Sequence, residues 1–95
     1  MRVFNKSTLR IFYEKHVDCK EQLLTWYKVT TKANWKSYND VKKHFNSADC
    51  IKDSLFVFNI KGDNYRLVVD FNFSMQWAFI SFIGTHAEYD KRKFN

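Results

Sequence analysis

The sequence predicts an α+β protein in which helices pack on a small antiparallel β-sheet. Apolar residues recur at helical spacing through the first half of the chain, whereas from Leu55 onward they alternate with period two. The chain has 95 residues, no proline and only two glycines, and no repeat or low-complexity segment divides it. Helices followed by strands are typical of this fold class. We therefore expect residues 1–95 to form a single domain.

A short strand from Arg2 to Phe4 is expected to open the chain, followed by two helices. Ser7 is a good N-cap for the first helix and Asp18 for the second. Each helix carries one apolar stripe at spacings of three and four residues. The stripe of the first helix consists of Leu9, Phe12, Tyr13 and His16, and that of the second of Cys19, Leu23, Trp26, Tyr27 and Thr30. These stripes predict the helical side of the core.

A third, short helix is expected after Ser37. Ser37–Asp40 has the shape of a capping box with Asp in the place of Glu or Gln. The predicted helix has two different sides: Val41 and Phe45 lie on one, and Lys42 and Lys43 lie on another.

The second half predicts three consecutive antiparallel strands and a last helix. The first strand is Leu55–Ile60, and Lys61–Asn64 has the composition of a tight turn. The strands Tyr65–Ser74 and Trp77–Gly84 follow, with apolar residues in alternation. Thr85–Glu88 is a capping box that begins a final short helix.

The formal net charge of +6 predicts attraction to a polyanion such as RNA, although positive charge also serves solubility. No stretch approaches the roughly 20 apolar residues of a membrane span, and the N-terminus lacks the apolar centre of a secretory signal. We therefore expect a cytoplasmic protein without a membrane partner. Cys19 and Cys50 have no metal-ligand spacing, and we interpret both as reduced packing residues.

Polar side chains are expected to meet near one edge of the sheet. Asn59, Lys61 and Arg66 share the less apolar face of the first hairpin. His86 and Tyr89 lie three residues apart at the start of the last helix, so they can reach the end of the same sheet. Such a set suits attack of a ribose 2′-hydroxyl on the adjacent phosphate, which needs a base, an acid and cations.

Each of these residues also has an ordinary structural explanation. Arg66 is able to form an ion pair with Asp70 on the same face, and Lys61 is able to remain a solvated turn charge. The alternative for His86 is a helix residue with no functional role, and the alternative for Tyr89 is an aromatic side chain that only packs. Other chemistries have less support: no metal-ligand cluster, no cofactor motif and no glycine-rich phosphate loop occurs in the sequence.

Three segments carry a resemblance to a known family. Val57–Val68, Gly84–Asp90 and the upstream Asn34–Ser37 with Asp40 and Val41 resemble characteristic segments of the HigB-type toxins, which belong to the RelE-like superfamily. The resemblance spans nearly the whole chain. Asp63 departs from the pattern, because a smaller or neutral residue is expected there; we expect its side chain to face solvent.

The resemblance implies a RelE-like fold and a metal-independent endoribonuclease that cuts messenger RNA on the translating ribosome. It also implies silencing by a cognate, HigA-like antitoxin. Arg66, His86 and Tyr89 are then the expected active-site residues, with Lys61 as a further catalytic candidate. The candidate RNA-binding residues are Asn59, Lys36, Lys42, Lys43 and Lys91.

Two rival functions remain open at this point. One is a basic RNA-binding module without catalysis that stacks bases on Trp35, Tyr38 or Tyr65. The other is an interaction protein whose cationic face docks an acidic partner. A toxin also needs such a partner, so its presence alone does not separate the alternatives.

Overall fold

A computed structural model describes residues 1–94; Asn95, the last residue of the predicted domain, lies outside the described residues. In chain order the elements are β1 (Arg2–Phe4), α1 (Lys6–Lys15), a 3-10 turn (Val17–Cys19), α2 (Lys20–Lys32), α3 (Tyr38–His44), β2 (Asp49–Lys52), β3 (Leu55–Ile60), β4 (Tyr65–Asn72), β5 (Trp77–Thr85) and α4 (His86–Arg92). None of the helices among these residues is long and apolar enough to cross a membrane.

The five strands form one sheet in the order β1-β5-β4-β3-β2. The predicted meander β3-β4-β5 is present and antiparallel, so the α+β class is confirmed. The sheet as a whole is mixed, because β1 runs parallel to β5. No hairpin joins β1 to β5, so no tight turn forces these two strands to be antiparallel. The edge strand β2 was not predicted, since its four residues show little apolar alternation.

The main core lies between one face of the sheet and helices α1, α2 and α3. Leu67 and Val69 of β4 are fully buried on this face, and Trp26 of α2 lies edge-on to Phe58 of β3 with 5.6 Å between ring centroids. Trp35 is 2% exposed and contacts Phe71. Aromatic side chains bury a large apolar area per residue, which compensates for the short chain.

The opposite face of the sheet is also covered. Val68 pairs with Phe82 on this face and is fully buried, and the Phe82 ring contacts Phe94 and the guanidinium of Arg92. The last turn of α4 therefore reaches this face of the sheet, opposite to α1, α2 and α3. A bulge at Ser81 places Ile80 and Phe82 on opposite faces of the sheet, because Phe82 pairs with Val68 while Ile80 pairs with Val69.

Two of the predicted helix starts were wrong. Helix α1 follows Asn5, which has a left-handed backbone (φ 73°) and donates its side-chain amide to the carbonyl of Ile80. Asp18 lies in the 3-10 turn before α2 and accepts a hydrogen bond from the Tyr65 hydroxyl instead of capping the helix. For α2, a long-range contact therefore uses the side chain that the sequence assigned to the cap. For α1, the helix begins two residues earlier than Ser7 predicted.

The other two helix starts are close to the prediction. Ser37 precedes α3 as expected, but it makes no side-chain capping bond, and the Asp40 carboxylate accepts from the backbone N–H of Lys36. The capping box of α4 is complete: the Thr85 hydroxyl accepts from the Glu88 N–H, and the Glu88 carboxylate accepts from the Thr85 N–H. These bonds lower the pKa of Glu88.

Both cysteines are free thiols, as predicted. Cys19 is fully buried, and Cys50 is half-buried. Burial raises the pKa of both thiols, which disfavours the reactive thiolate.

Candidate active site

The β3–β4 hairpin places Arg66 at the end of the sheet. The turn between the strands closes with the Asn64 N–H donating to the carbonyl of Lys61, and Gly62 takes a left-handed backbone (φ 63°). Arg66 pairs with Asn59 on one side and with Gly84 of β5 on the other. The predicted neighbourhood of Asn59 and Arg66 is therefore present.

The guanidinium of Arg66 is held from several directions. Its side chain is only 11% exposed. Nη1 donates to the carbonyls of Asp63 (3.1 Å) and Tyr65 (3.2 Å), and Nη2 donates to the Asp63 carboxylate (2.9 Å). The alternative ion pair with Asp70 does not form: Asp70 lies four residues along β4, about 13 Å away, and its carboxylate accepts from the Ser54 hydroxyl. Arg66 is thus fixed by its own turn.

His86 is the first residue of α4, and two features fix its position. The capping box sets the first turn of the helix, and the His86 backbone N–H donates to the carbonyl of Asn64 at 2.9 Å. The start of α4 is therefore tied to the hairpin turn, as the sequence predicted from the order of strands. The imidazole consequently lies beside the guanidinium of Arg66.

The imidazole of His86 lies between Arg66 and Asp90. Nδ1 is 3.0 Å from Nη2 of Arg66, and Nε2 is 3.0 Å from the Asp90 carboxylate. Because guanidinium has no acceptor, Nδ1 must accept this hydrogen bond, so the proton of the neutral ring is on Nε2. Asp90 is well placed to hold that tautomer.

Asp63 and Asp90 were not among the predicted site residues. Asp90 lies four residues after His86, a spacing that brings side chains together on a helix and could have identified it. Asp63 was expected to face solvent. Its side chain is indeed 79% exposed, yet the carboxylate contacts Arg66, which only the turn conformation decides.

Tyr89 and Lys61 are less closely involved. The Tyr89 ring stacks on Phe94 with 5.6 Å between centroids, and within residues 1–94 its hydroxyl has no hydrogen bond to Arg66 or His86. Lys61 is an exposed turn residue whose backbone N–H donates to the Gln22 side chain. Its ammonium group contacts no acceptor in the described part of the chain.

The candidate RNA-binding lysines do not form one cluster. Lys91 lies on α4 and is exposed, but Lys36, Lys42 and Lys43 belong to the α3 region. Trp35, next to Lys36, contacts Phe71 of β4. Phe71 lies five residues along the strand from Arg66, so the two residues are about 16 Å apart. Lys42 donates to the carbonyls of Asn46 and Ala48 at 2.7 Å each, so it holds the chain before β2.

A separate cavity of about 370 Å³ lies on the helical side of the sheet. It is lined by Ile11, Phe12 and His16 of the first helical segment, and by Ile83 and Glu88. The Tyr65 ring contacts Phe12 and His16. Neither Arg66 nor His86 lines this cavity. Among residues 1–94 there is no group of three or more His, Cys, Asp or Glu side chains that could hold a metal ion.

The arrangement of Arg66 and His86 is chemically suited to a phosphodiester. A buried guanidinium offers planar donors to phosphate oxygens, and the adjacent imidazole is able to give or take a proton. No nucleophile from the protein is required if the substrate supplies its own hydroxyl.

Comparisons with known proteins agree with this chemistry. Residues 19–92 match the HigB_toxin family, described as a RelE-like toxic component of a toxin–antitoxin system. The chain is 30% identical over 92 residues to the "mRNA interferase toxin HigB" of Escherichia coli K12, covering 95% of this chain and 88% of that protein. It has the same similarity to an "mRNA interferase HigB" of Shigella flexneri. It is 25% identical over 93 residues to another from Escherichia coli O6:H1, covering 96% and 90% of the two chains.

Proposed function

Because the chain belongs to the HigB family of RelE-like toxins of toxin–antitoxin systems, we propose that it is an endoribonuclease that cuts messenger RNA. The observation that carries this function is the pair of Arg66 and His86, whose side chains lie 3.0 Å apart at the end of the sheet. Both residues fall inside the part of the chain that matches the family.

The proposed reaction is a transesterification within the RNA. The ribose 2′-oxygen bonds to the adjacent phosphorus, and the bond from phosphorus to the 5′-oxygen breaks. The 2′-hydroxyl gives its proton to a base, and the leaving 5′-oxygen takes one from an acid, which leaves a 2′,3′-cyclic phosphate and a 5′-hydroxyl. Atoms and charge balance without an external nucleophile or a metal ion.

Arg66 and His86 are coupled in this scheme. In the structure Nδ1 of His86 accepts a hydrogen bond from Arg66. A phosphate bound to the guanidinium lies beside the imidazole, which is therefore placed to exchange a proton with the substrate. The guanidinium also stabilises the charge that develops on the phosphate.

The other candidates have supporting roles. Lys61 lies five residues before Arg66, and Lys91 lies five residues after His86. Both side chains are exposed cations, which suits contacts with neighbouring phosphates of the RNA. Asn59, across from Arg66, offers an amide to a ribose or base. Tyr89 reaches the reacting groups only if its ring leaves Phe94.

The partners follow from the family and the charge. A toxin of this family has a cognate antitoxin, here a HigA-like protein, and the +6 net charge favours both RNA and the ribosome as binding surfaces. We propose that cleavage takes place on the translating ribosome and that the protein acts in the cytoplasm, where translated messages are found.

The test compares wild type with Arg66→Ala, Arg66→Lys and the control Arg10→Ala, which removes an exposed arginine of α1. After a pulse of expression, RNA ends are mapped and upstream fragments are assayed for 2′,3′-cyclic phosphate. We expect cuts within translated messages for wild type and Arg10→Ala and none for Arg66→Ala. Arg66→Lys should retain little activity, because lysine lacks the planar fork.

Two outcomes would contradict the proposal. Cleavage by folded Arg66→Ala at the wild-type rate would remove Arg66 from the site. Loss of cleavage by protein that was dialysed against chelator before its addition to translating ribosomes would contradict a reaction without a metal ion bound to the protein.

The alternative of a non-catalytic RNA-binding module is weakened by its own stacking residues. Trp35 is buried, and its indole N–H donates to His44. Tyr65 is 9% exposed and bonded to Asp18. Of the three aromatic residues only Tyr38 is exposed, at 41%, and its ring also contacts Phe56. RNA that is bound but remains intact would restore this alternative.

A further inference from the structure

The guanidinium of Arg66, which we propose binds phosphate, already forms an ion pair with Asp63, a residue of the adjacent turn. Asp63 Oδ1 lies 2.9 Å from Nη2 of Arg66, and the Asp63 carbonyl accepts from Nη1. With His86 Nδ1 and the Tyr65 carbonyl, the two Nη atoms make four hydrogen bonds. Each Nη carries two N–H groups, so both atoms are saturated by partners within the protein.

A phosphate and the Asp63 carboxylate compete for the same donors. Both are anionic, and both match the planar fork of arginine. The two partners differ in freedom, because the Asp63 side chain is 79% exposed and that of Arg66 is 11% exposed. An exposed carboxylate rotates into water at little cost, whereas a buried guanidinium has few other positions. The carboxylate is therefore the partner that leaves.

Arg66 keeps its position without the carboxylate. The carbonyls of Asp63 and Tyr65 still accept from Nη1, and His86 still accepts from Nη2. These acceptors belong to the turn and to the capped start of α4, both of which are fixed by backbone hydrogen bonds. Removal of the Asp63 charge should thus make one N–H of Nη2 available to a phosphate without disordering the guanidinium.

We propose that Asp63 sets the affinity of this site for RNA: its carboxylate occupies Arg66 in the free protein and is exchanged for a substrate phosphodiester. This role rests on the proposed ribonuclease function. The carboxylate keeps the buried guanidinium paired until a phosphate arrives, and it limits how tightly that phosphate is held. Asp63 does not contact the substrate, because its carboxylate leaves the guanidinium when the phosphodiester binds. It acts through Arg66.

The test variant is Asp63→Asn, which keeps the size of the side chain and an acceptor oxygen but removes the charge. The control is Asp49→Asn, which removes one exposed carboxylate on β2. The probe is a short RNA oligonucleotide with 2′-O-methyl groups, which cannot be cleaved through its 2′-oxygens. Its affinity is measured by fluorescence anisotropy at low and moderate salt.

We expect Asp63→Asn to bind the probe roughly 3- to 10-fold more tightly than wild type, as the loss of a nearby like charge predicts. Asp49→Asn should change affinity less, because its effect is only that of net charge. On cleavable RNA, the Asp63 variant should show a lower KM with little change in kcat. Equal gains for the two variants, or weaker binding by Asp63→Asn, would overturn the proposal.

A double variant separates exchange at Arg66 from general repulsion. In an Arg66→Ala background the guanidinium for which the carboxylate and the phosphate compete is absent. Asp63→Asn should then gain no more affinity than Asp49→Asn does. An undiminished gain in that background would also overturn the proposal. The binding measurements do not require cleavage, so failure of the ribonuclease function would appear separately, as intact RNA with wild-type protein.

Discussion

His86 has a neighbour on each ring nitrogen, and the two neighbours do different things. Arg66 donates to Nδ1, while the Asp90 carboxylate accepts from Nε2. An acceptor on Nε2 fixes both the tautomer and the direction of the ring, which is how carboxylates orient catalytic histidines in hydrolases. We therefore expect Asp90 to act on the proposed reaction through His86.

We expect Asp90→Ala to reduce kcat by about 10-fold, because the ring loses its orientation, and to leave KM nearly unchanged. Asp90→Asn should be milder, since its amide oxygen still accepts from Nε2. The measurement is steady-state cleavage of messenger RNA bound to ribosomes, with Asp49→Ala as the control for a lost carboxylate.

A double-mutant cycle decides whether Asp90 acts through the histidine. In a His86→Ala background, Asp90→Ala should have no further effect. Additive losses would show that Asp90 contributes by another route, such as the stability of α4.

At the scale of elements, the junction between β5 and α4 is the most constrained part of the site. Gly84 pairs with Arg66, and a Cβ atom there would lie 2.5 Å from the Phe82 ring and 3.0 Å from the Glu88 carboxylate. Phe82 packs against Phe94, and Glu88 completes the capping box. The close approach of these groups leaves no room for a side chain.

Gly84→Ala is expected to destabilise the protein by about 1–3 kcal/mol, because a methyl group must displace packed side chains. For a domain of this size each 1 kcal/mol lowers Tm by about 4–8 °C. Thermal unfolding followed by circular dichroism measures the change. Cleavage should fall as well, since the start of α4 carries His86.

Gly62 gives a matched comparison, because its constraint is different. Its φ of 63° is left-handed, but within residues 1–94 a Cβ atom added there would meet no neighbouring atom within 4 Å. Asparagine tolerates this conformation. Gly62→Asn should therefore unfold close to the wild-type temperature; a loss as large as that of Gly84→Ala would mean that space at the turn is limiting.

At the scale of the whole molecule, the hydrogen bond from Tyr65 to Asp18 joins the sheet to the turn before α2 across 47 positions of sequence. The Tyr65 hydroxyl donates to the Asp18 carboxylate at 2.8 Å, and this bond, with burial and the nearby negative charge, raises the pKa of Tyr65 to about 12. The folded protein therefore favours the neutral phenol.

The raised pKa makes a stability prediction at alkaline pH. An unfolded tyrosine ionises near pH 10, so the contribution of Tyr65 is complete below about pH 10 and is lost as the pH rises towards about 12. We expect the difference in free energy of unfolding between wild type and Tyr65→Phe to be constant at lower pH and to change across that interval. Urea unfolding from about pH 8 to 12 provides the measurement.

Tyr38→Phe is the control for the loss of one phenol hydroxyl, since Tyr38 is 41% exposed. A difference between wild type and Tyr65→Phe that stays constant up to about pH 12 would contradict the assigned hydrogen bond.

Features that depend on local order along the chain could be predicted from the sequence. Period-two alternation and one tight turn set the register that pairs Asn59 with Arg66, and the Thr85–Glu88 capping box placed His86 at a helix start. Because consecutive antiparallel strands are adjacent in space, these patterns were enough to predict that Arg66 and His86 lie close together.

Features that depend on contacts between distant segments could not be predicted from these patterns. Strand β1 joined the sheet in parallel, and α4 reached the face opposite the other helices. Tyr89 stacks on Phe94, Lys42 donates to backbone carbonyls, and the Asp63 carboxylate pairs with Arg66. Side-chain direction and long-range packing choose among partners that local patterns leave equivalent, which is why the anions around Arg66 and His86 could not be assigned from the sequence alone.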